Sequence, residues 1–114
     1  MISRGREAEA TALRYLQNQG LKLIAQNYRC RFGEIDLIMR DGSTIVFTEV
    51  RLRKSNAFGG ASASVDSNKQ RRILATARHY LSELRGSPAC RCDVVLLSNV
   101  EDNAIEWIQN AFTE

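Results

Sequence analysis

Two runs rich in β-branched and apolar residues, Gly33-Glu34-Ile35-Asp36-Leu37-Ile38-Met39 and Thr44-Ile45-Val46-Phe47-Thr48-Glu49-Val50-Arg51, flank Arg40-Asp41-Gly42-Ser43. Asp-Gly between alternating runs is a strong hairpin signal. The pattern predicts strands over 33–39 and 44–51, with Asp41-Gly42 as the turn. Ile38 then opposes Ile45, Asp36 opposes Phe47 and Glu34 opposes Glu49. Ile35, Leu37, Met39, Val46, Thr48 and Val50 make one almost wholly apolar face. The other face is apolar near the turn and rich in carboxylates at its open end. A sheet apolar on both faces must be covered on both, which predicts a helix on each side.

Outward from the hairpin, residues 4–19 read as a helix, with Ala8, Ala12, Tyr15 and Leu16 at helical spacing and Gly20 as its stop. Glu9 lies on the flank of that stripe. A carboxylate aimed at a core needs a partner or a metal, and a place at the surface edge also fits. Residues 21–28 read as a strand. Residues 54–66, rich in Gly, Ser and Ala, read as a loop crossing the sheet. A second helix is expected over 68–85, buried through Ile73, Leu74, Ala77, Tyr80, Leu81 and Leu84. Ser67-Asn68-Lys69-Gln70 fits a capping box, although Gln70 also lies along the apolar stripe. Strands follow at 92–97 and 104–108. The expectation is one α/β domain over 1–114, a mixed central sheet flanked by helices in the order α-β-β-β-α-β-β.

Composition narrows the function. Sixteen Lys and Arg against thirteen Asp and Glu give +3, but the charge is unevenly spread. Residues 1–50 carry +1, residues 51–91 carry +7 and residues 92–114 carry −5. A basic middle third points to a polyanion bound through its phosphates. Thirteen of the basic residues are Arg, which grips phosphate bidentately. Arg71, Arg72, Arg78 and Arg85 are expected on the exposed side of the second helix, as a phosphate track or simply a solvated face. The longest aliphatic run, Val94–Leu97, is far too short to span a bilayer, and no apolar leader opens the chain. The chain is therefore expected in the cytoplasm, with no membrane partner. Cys30, Cys90 and Cys92 lack the spacing of a zinc site and read as free thiols.

Glu34, Asp36, Glu49 and Arg51 carry the chemistry. Like charges opposed on a sheet are destabilising without a counter-charge or cation. Carboxylates so gathered make the hard oxygen site that Mg²⁺ prefers, with waters and phosphate oxygens completing the octahedron. Such a metal neutralises charge on a scissile phosphate, and Arg51 would steady the same charge. An ion network between Arg51, Glu49 and Asp36 is the competing explanation.

Asn27-Tyr28-Arg29-Cys30-Arg31-Phe32-Gly33-Glu34-Ile35-Asp36-Leu37-Ile38 resembles the N-x-R-x-R-x-GEIDLI signature of the YraN-like bacterial family. The likeness continues through VFTEVRLR (46–53), Phe58-Gly59, Lys69-Gln70, Arg91-Cys92-Asp93-Val94 and Asn110-Ala111-Phe112, nearly the whole chain in order. That family is similar to restriction-endonuclease-like nucleases, including Holliday-junction resolvases. The resemblance implies a restriction-endonuclease-like fold, Mg²⁺- or Mn²⁺-dependent hydrolysis of DNA phosphodiesters, and Glu9, Asp36 and Glu49 as metal-site carboxylates. The expected substrate is DNA, with branched DNA as one form of it, and Arg53, Lys54, Lys69, Gln70, Arg71 and Arg72 are the expected nucleic-acid-binding residues. Resolvase-like enzymes commonly act as dimers, though no segment here marks an interface. Two departures stand out. Cys92 replaces a usual Phe, a change of packing. Arg51 stands where the family has Lys, and a guanidinium stays protonated and cannot act as a base. Lys54 or Lys69 could supply the missing ammonium. Otherwise the chain would be a weakened or inactive nucleic-acid-binding protein of the same fold.

Overall fold

The alternation of apolar residues on two sides of each central strand is what builds this molecule. A computed structural model describes residues 4–52, 65–98 and 105–113. In chain order its elements are α1 (Arg4–Asn18), β1 (Lys22–Cys30), β2 (Gly33–Asp41), β3 (Thr44–Leu52), α2 (Ser67–Ser82), β4 (Cys90–Leu97) and β5 (Ile105–Ile108). The strands form one sheet in the order β1-β2-β3-β4-β5. Only β3 and β4 run parallel, joined through α2, and the other neighbours are antiparallel. The α/β class and the element order expected from the sequence both hold. Among the described residues no helix is long and apolar enough to cross a membrane.

Each helix covers one face. Ala8, Ala12 and Leu16 of α1 pack on Leu37, Met39, Val46, Val95 and Leu97. Ile73 and Ala77 of α2 pack on Ile38, Ile45, Phe47, Val94 and Leu96. Phe47 is 1% exposed at the centre of that second layer. Truncating a fully buried Phe to Ala costs about 3–5 kcal/mol.

The hairpin register differs from the expectation. Asp41 pairs with Thr44 and Arg40 with Ile45, so Gly42-Ser43 is the two-residue loop and every pair is displaced by two positions. A displacement of two leaves each side chain on its own face, so the apolar pattern cannot discriminate between the registers. The turn decides. With φ of 60°, Gly42 supplies the one positive dihedral that a type II′ turn needs, whereas a turn centred on Asp41-Gly42 needs two. Continued past Leu37↔Thr48, the observed register faces Asp36 with Glu49 instead of Phe47.

A second correction concerns the faces themselves. Ile35 does not join Leu37 and Met39 under α1 but packs with Ile38 and Phe47 under α2. On the neighbouring strand Ala25 and Tyr28, three apart, also share the α2 side. Both strands change face at one level, where the β1–β2 pairing passes over Asn27 and Asp36. Asn27 has φ of 51°, a left-handed conformation that Asn tolerates better than most residues. The strands therefore kink together at the level of Asp36.

The start of α2 is also rearranged. Asp66, not Ser67, is the N-cap, accepting from the Lys69 N–H at 2.8 Å. Gln70 closes no capping box, since its Nε2 donates to the Val65 carbonyl at 2.8 Å. An ionised Asp answers the positive helix terminus better than a hydroxyl does. The helix ends at Ser82, three residues before the expected 85. Gly33 explains how closely α2 sits on β2: a Cβ there would come within 3.2 Å of Thr76 Oγ1, and its φ of 151° itself suits glycine.

Candidate functional site

Asp36 stands at the kink, at the point where β2 and β3 part. One of its oxygens, Oδ2, accepts the Val50 N–H at 2.9 Å, taking a place a ladder carbonyl would fill in an unbroken strand pair. That bond holds the carboxyl beside Glu49, close enough for each acid to shift the other's pKa. Glu49 is 4% exposed, deep for an acid. Its Oε2 faces two cations, Lys69 Nζ at 3.5 Å from α2 and Arg51 Nη1 at 3.8 Å from its own strand. Its Oε1 is buried and, among the described residues, has no hydrogen-bond partner.

Electrostatics follow from this crowding. Burial, then the neighbouring charge of Glu49, pushes the Asp36 carboxyl up to about 7, opposed by the Val50 N–H and Lys69. Burial also raises Glu49, while Lys69, the hydrogen bond from Asp36 and Arg51 pull it back. Both carboxyls are thus raised together, as like charges in one desolvated site must be.

The other expected site residues divide. Glu9 of α1 is raised chiefly by burial, with Asp36 and Glu34 adding to the shift. It neighbours the pair, but its Oε1 is held by Asn27 Nδ2 at 3.0 Å. Glu34 is held by Asn27 Nδ2 (3.3 Å) and Arg29 Nε (3.4 Å), whereas Glu49 beside Asp36 is paired with Arg51 and Lys69. Among the described residues no three Asp, Glu, His or Cys side chains gather closely enough to hold a metal ion. Arg71, bonded to Asn68, and Arg72 are exposed on α2 as expected. Arg53 and Lys54 lie outside the described residues, as does most of the 54–66 loop with Phe58-Gly59. Asn27, the first residue of the signature stretch, carries a role that spacing does not disclose, although an Asn within a strand is a rare choice that hints at special backbone.

On β4, in register with Thr48 beside Glu49, lies a second polar centre. Asp93 is fully buried, yet bonded to Trp107 Nε1 (2.9 Å), the Asn110 N–H (2.9 Å) and Arg91 Nε (3.1 and 3.2 Å). Arg91 continues to Asp41 at 3.1 Å. Every oxygen of Asp93 is thus answered within the protein, which marks the cluster as structural.

Comparison with known proteins agrees with one family along this whole arrangement. The chain is 55% identical over 112 residues to the UPF0102 protein NE0719 of Nitrosomonas europaea, covering 98% of this chain and 95% of that protein. It is equally 55% identical over 109 residues to a UPF0102 protein of Methylobacillus flagellatus, covering 96% of each. A UPF0102 protein of Psychromonas ingrahamii is 55% identical over 112 residues, at 98% and 91% coverage. The model of the uncharacterised protein family UPF0102 matches residues 8–97, from the core of α1 through Asp36, Glu49 and Lys69 to the end of β4. The chain belongs to the UPF0102 family.

Proposed function

We propose that this chain is a Mg²⁺- or Mn²⁺-dependent DNA endonuclease of restriction-endonuclease-like fold, working in the cytoplasm on branched DNA. The observation that carries this reading is the buried Oε1 of Glu49 beside Asp36, without a hydrogen-bond partner among the described residues. An unsatisfied buried acceptor costs on the order of 1–3 kcal/mol, and more when charged. Two carboxylates held together at such cost suit a cation. Mg²⁺ needs only one or two of them, since it keeps several waters and takes phosphate oxygens for the rest. Asp36 and Glu49 would hold the ion. Glu9 would join only by leaving Asn27. Bound there, such an ion would supply Lewis-acid polarisation of a phosphate oxygen and a lowered pKa for water.

The protein's own groups do the remainder. The Val50 N–H holds one oxygen of the Asp36 carboxyl, which leaves the other for the ion. Lys69 and Arg51 bring two cations to Glu49, positioned to steady charge building on a phosphate. Lys69 thereby answers the absence of a lysine at position 51 from the opposite side of the site. The exposed Arg71 and Arg72 extend the positive surface along α2.

Titration with Mn²⁺ tests the centre. Wild type is expected to bind, with Asp36→Asn and Glu49→Gln each weakening binding at least about tenfold, as loss of a ligand should. Binding unchanged in both variants would overturn the assignment. Cleavage assays separate the roles of the cations: Lys69→Met should abolish cleavage while sparing Mn²⁺ binding. A second reading rests on Arg51, whose guanidinium holds a permanent charge 3.8 Å from Glu49. On that reading the chain binds DNA without cutting it, and Arg51→Lys alone would restore cleavage.

A further inference from the structure

We infer that the groove between the β1–β2 hairpin tip and α2 is a pocket for an unpaired nucleotide, with the Phe32 ring as its stacking surface. The inference rests on the nucleic-acid reading above and names the part of the substrate that the protein grips, independently of the cleavage chemistry. Phe32 is 38% exposed, one of the few large apolar side chains left in water. It sits at the tight connection between β1 and β2, where the Phe32 N–H bonds back to Cys30 Sγ at 3.4 Å. Nothing in the core requires it there. Its ring lines a cavity of about 420 Å³ together with Asn68, Arg71, Arg72 and Ala75. That lining has no acidic residue and two guanidinium groups, so it complements an anion that also presents a flat apolar face.

An unpaired nucleotide has both features. A base offers a π face of any sequence, and its phosphate offers the charge. Arg31 already lies over the Phe32 ring at 4.8 Å from its centroid, and His79 contacts it at 5.9 Å with a 59° tilt. The Arg31 guanidinium thus covers one face of the ring, and a base would stack on the other face or displace it. A paired base in a duplex cannot offer its face to such a ring, because its faces are covered by the base steps above and below.

Position strengthens the case. A second cavity, of about 310 Å³, adjoins the first through Arg72 and is lined by Arg29, Cys30, Gly33, Glu34, Lys69 and Ile73. Lys69 is the residue that reaches Glu49. A strand seated on Phe32 can thus run past Arg72 to the carboxylate pair. Stacking of a displaced base would select the junctions, flaps or ends where unpaired nucleotides occur, with no reading of sequence.

The test is binding without divalent metal, in EDTA, so that it stands whether or not the protein cuts. A 12-nucleotide single strand carrying one 2-aminopurine, and the blunt duplex of the same sequence, are titrated with full-length protein by anisotropy and 2-aminopurine fluorescence. Wild type should bind the single strand and change the 2-aminopurine signal. Phe32→Ala should weaken single-strand binding by about fivefold to a hundredfold, the loss of one stacked base, and leave duplex binding unchanged. Phe32→Leu, which keeps apolar bulk without a π face, should fail like Ala, while Phe32→Tyr should bind like wild type. Arg72→Ala should weaken both forms. Equal loss for both DNA forms with Phe32→Ala, full binding by Phe32→Leu, or no binding of the single strand by wild type would each overturn the proposal. Failure of Mn²⁺ binding alone would instead count against the metal centre and leave this pocket intact.

Discussion

With its carboxyl pushed up to about 7 by burial and by Glu49, Asp36 gains a proton in the folded chain long before the unfolded chain does, near its ordinary 3.8. Between about pH 4 and 7 the folded state then holds more protons than the unfolded one, so stability falls as pH rises through that window. Metal-free protein should accordingly melt at a lower temperature at pH 8 than at pH 5, with Glu49, also raised, acting in the same sense. Asp36→Asn keeps an acceptor for the Val50 N–H and removes the repulsion. It should raise the melting temperature at pH 8 and flatten the pH dependence, as thermal denaturation across pH in EDTA would reveal. A variant as pH-dependent as wild type would show that the strain lies elsewhere. At this scale the sequence was informative: crowded acids on facing strands announced a costly site. Hidden from it was the partner of each acid, because Asn27 draws Glu9 and Glu34 aside through a backbone conformation that no periodicity reports.

Among the elements, β4 and α2 carry the clearest consequences. Asp93 ties β4 to Trp107 of β5, to the Asn110 N–H and, through Arg91, to the hairpin turn at Asp41. Asp93→Ala strands an indole N–H and a backbone N–H and leaves the Arg91 guanidinium with only the exposed Asp41, so a loss of roughly 3–5 kcal/mol is expected in urea unfolding. By contrast, Asp66→Ala removes only an exposed cap, for a loss of about 1 kcal/mol. Equal effects would contradict the distinction drawn between buried and exposed charge. Strands and helices were legible from alternation and stripes, since burial on two faces leaves a two-sided signature. Details invisible to that signature went astray: a register displaced by two preserves every face, and a helix can begin on either of two adjacent capping residues.

Across the whole molecule, charge and shape converge on one side. The basic middle third includes Lys69, Arg71 and Arg72 on α2, beside the carboxylate pair and the Phe32 groove. DNA binding should therefore weaken steeply with salt, log K falling against log salt by about 0.9 per phosphate neutralised. Arg72→Ala should reduce that slope by about 1. A salt-independent affinity would mean that the basic surface serves solubility alone. The −5 tail contributes a different lesson, because Asp93, its first acid, is spent inside the fold on Arg91. Net charge of +3 thus mixes structural, site and surface groups that only their burial separates.

The central claim is that Asp36 and Glu49 form a metal-dependent centre for phosphodiester hydrolysis. Its most direct measurement is a cleavage time course on a four-way DNA junction, with Mg²⁺, with Mn²⁺ and with EDTA, for wild type and Asp36→Asn purified identically. Wild type should cut only with metal, and Asp36→Asn should bind the junction with rate lowered at least about a thousandfold. Cleavage that survives Asp36→Asn, or that proceeds in EDTA, would contradict the account.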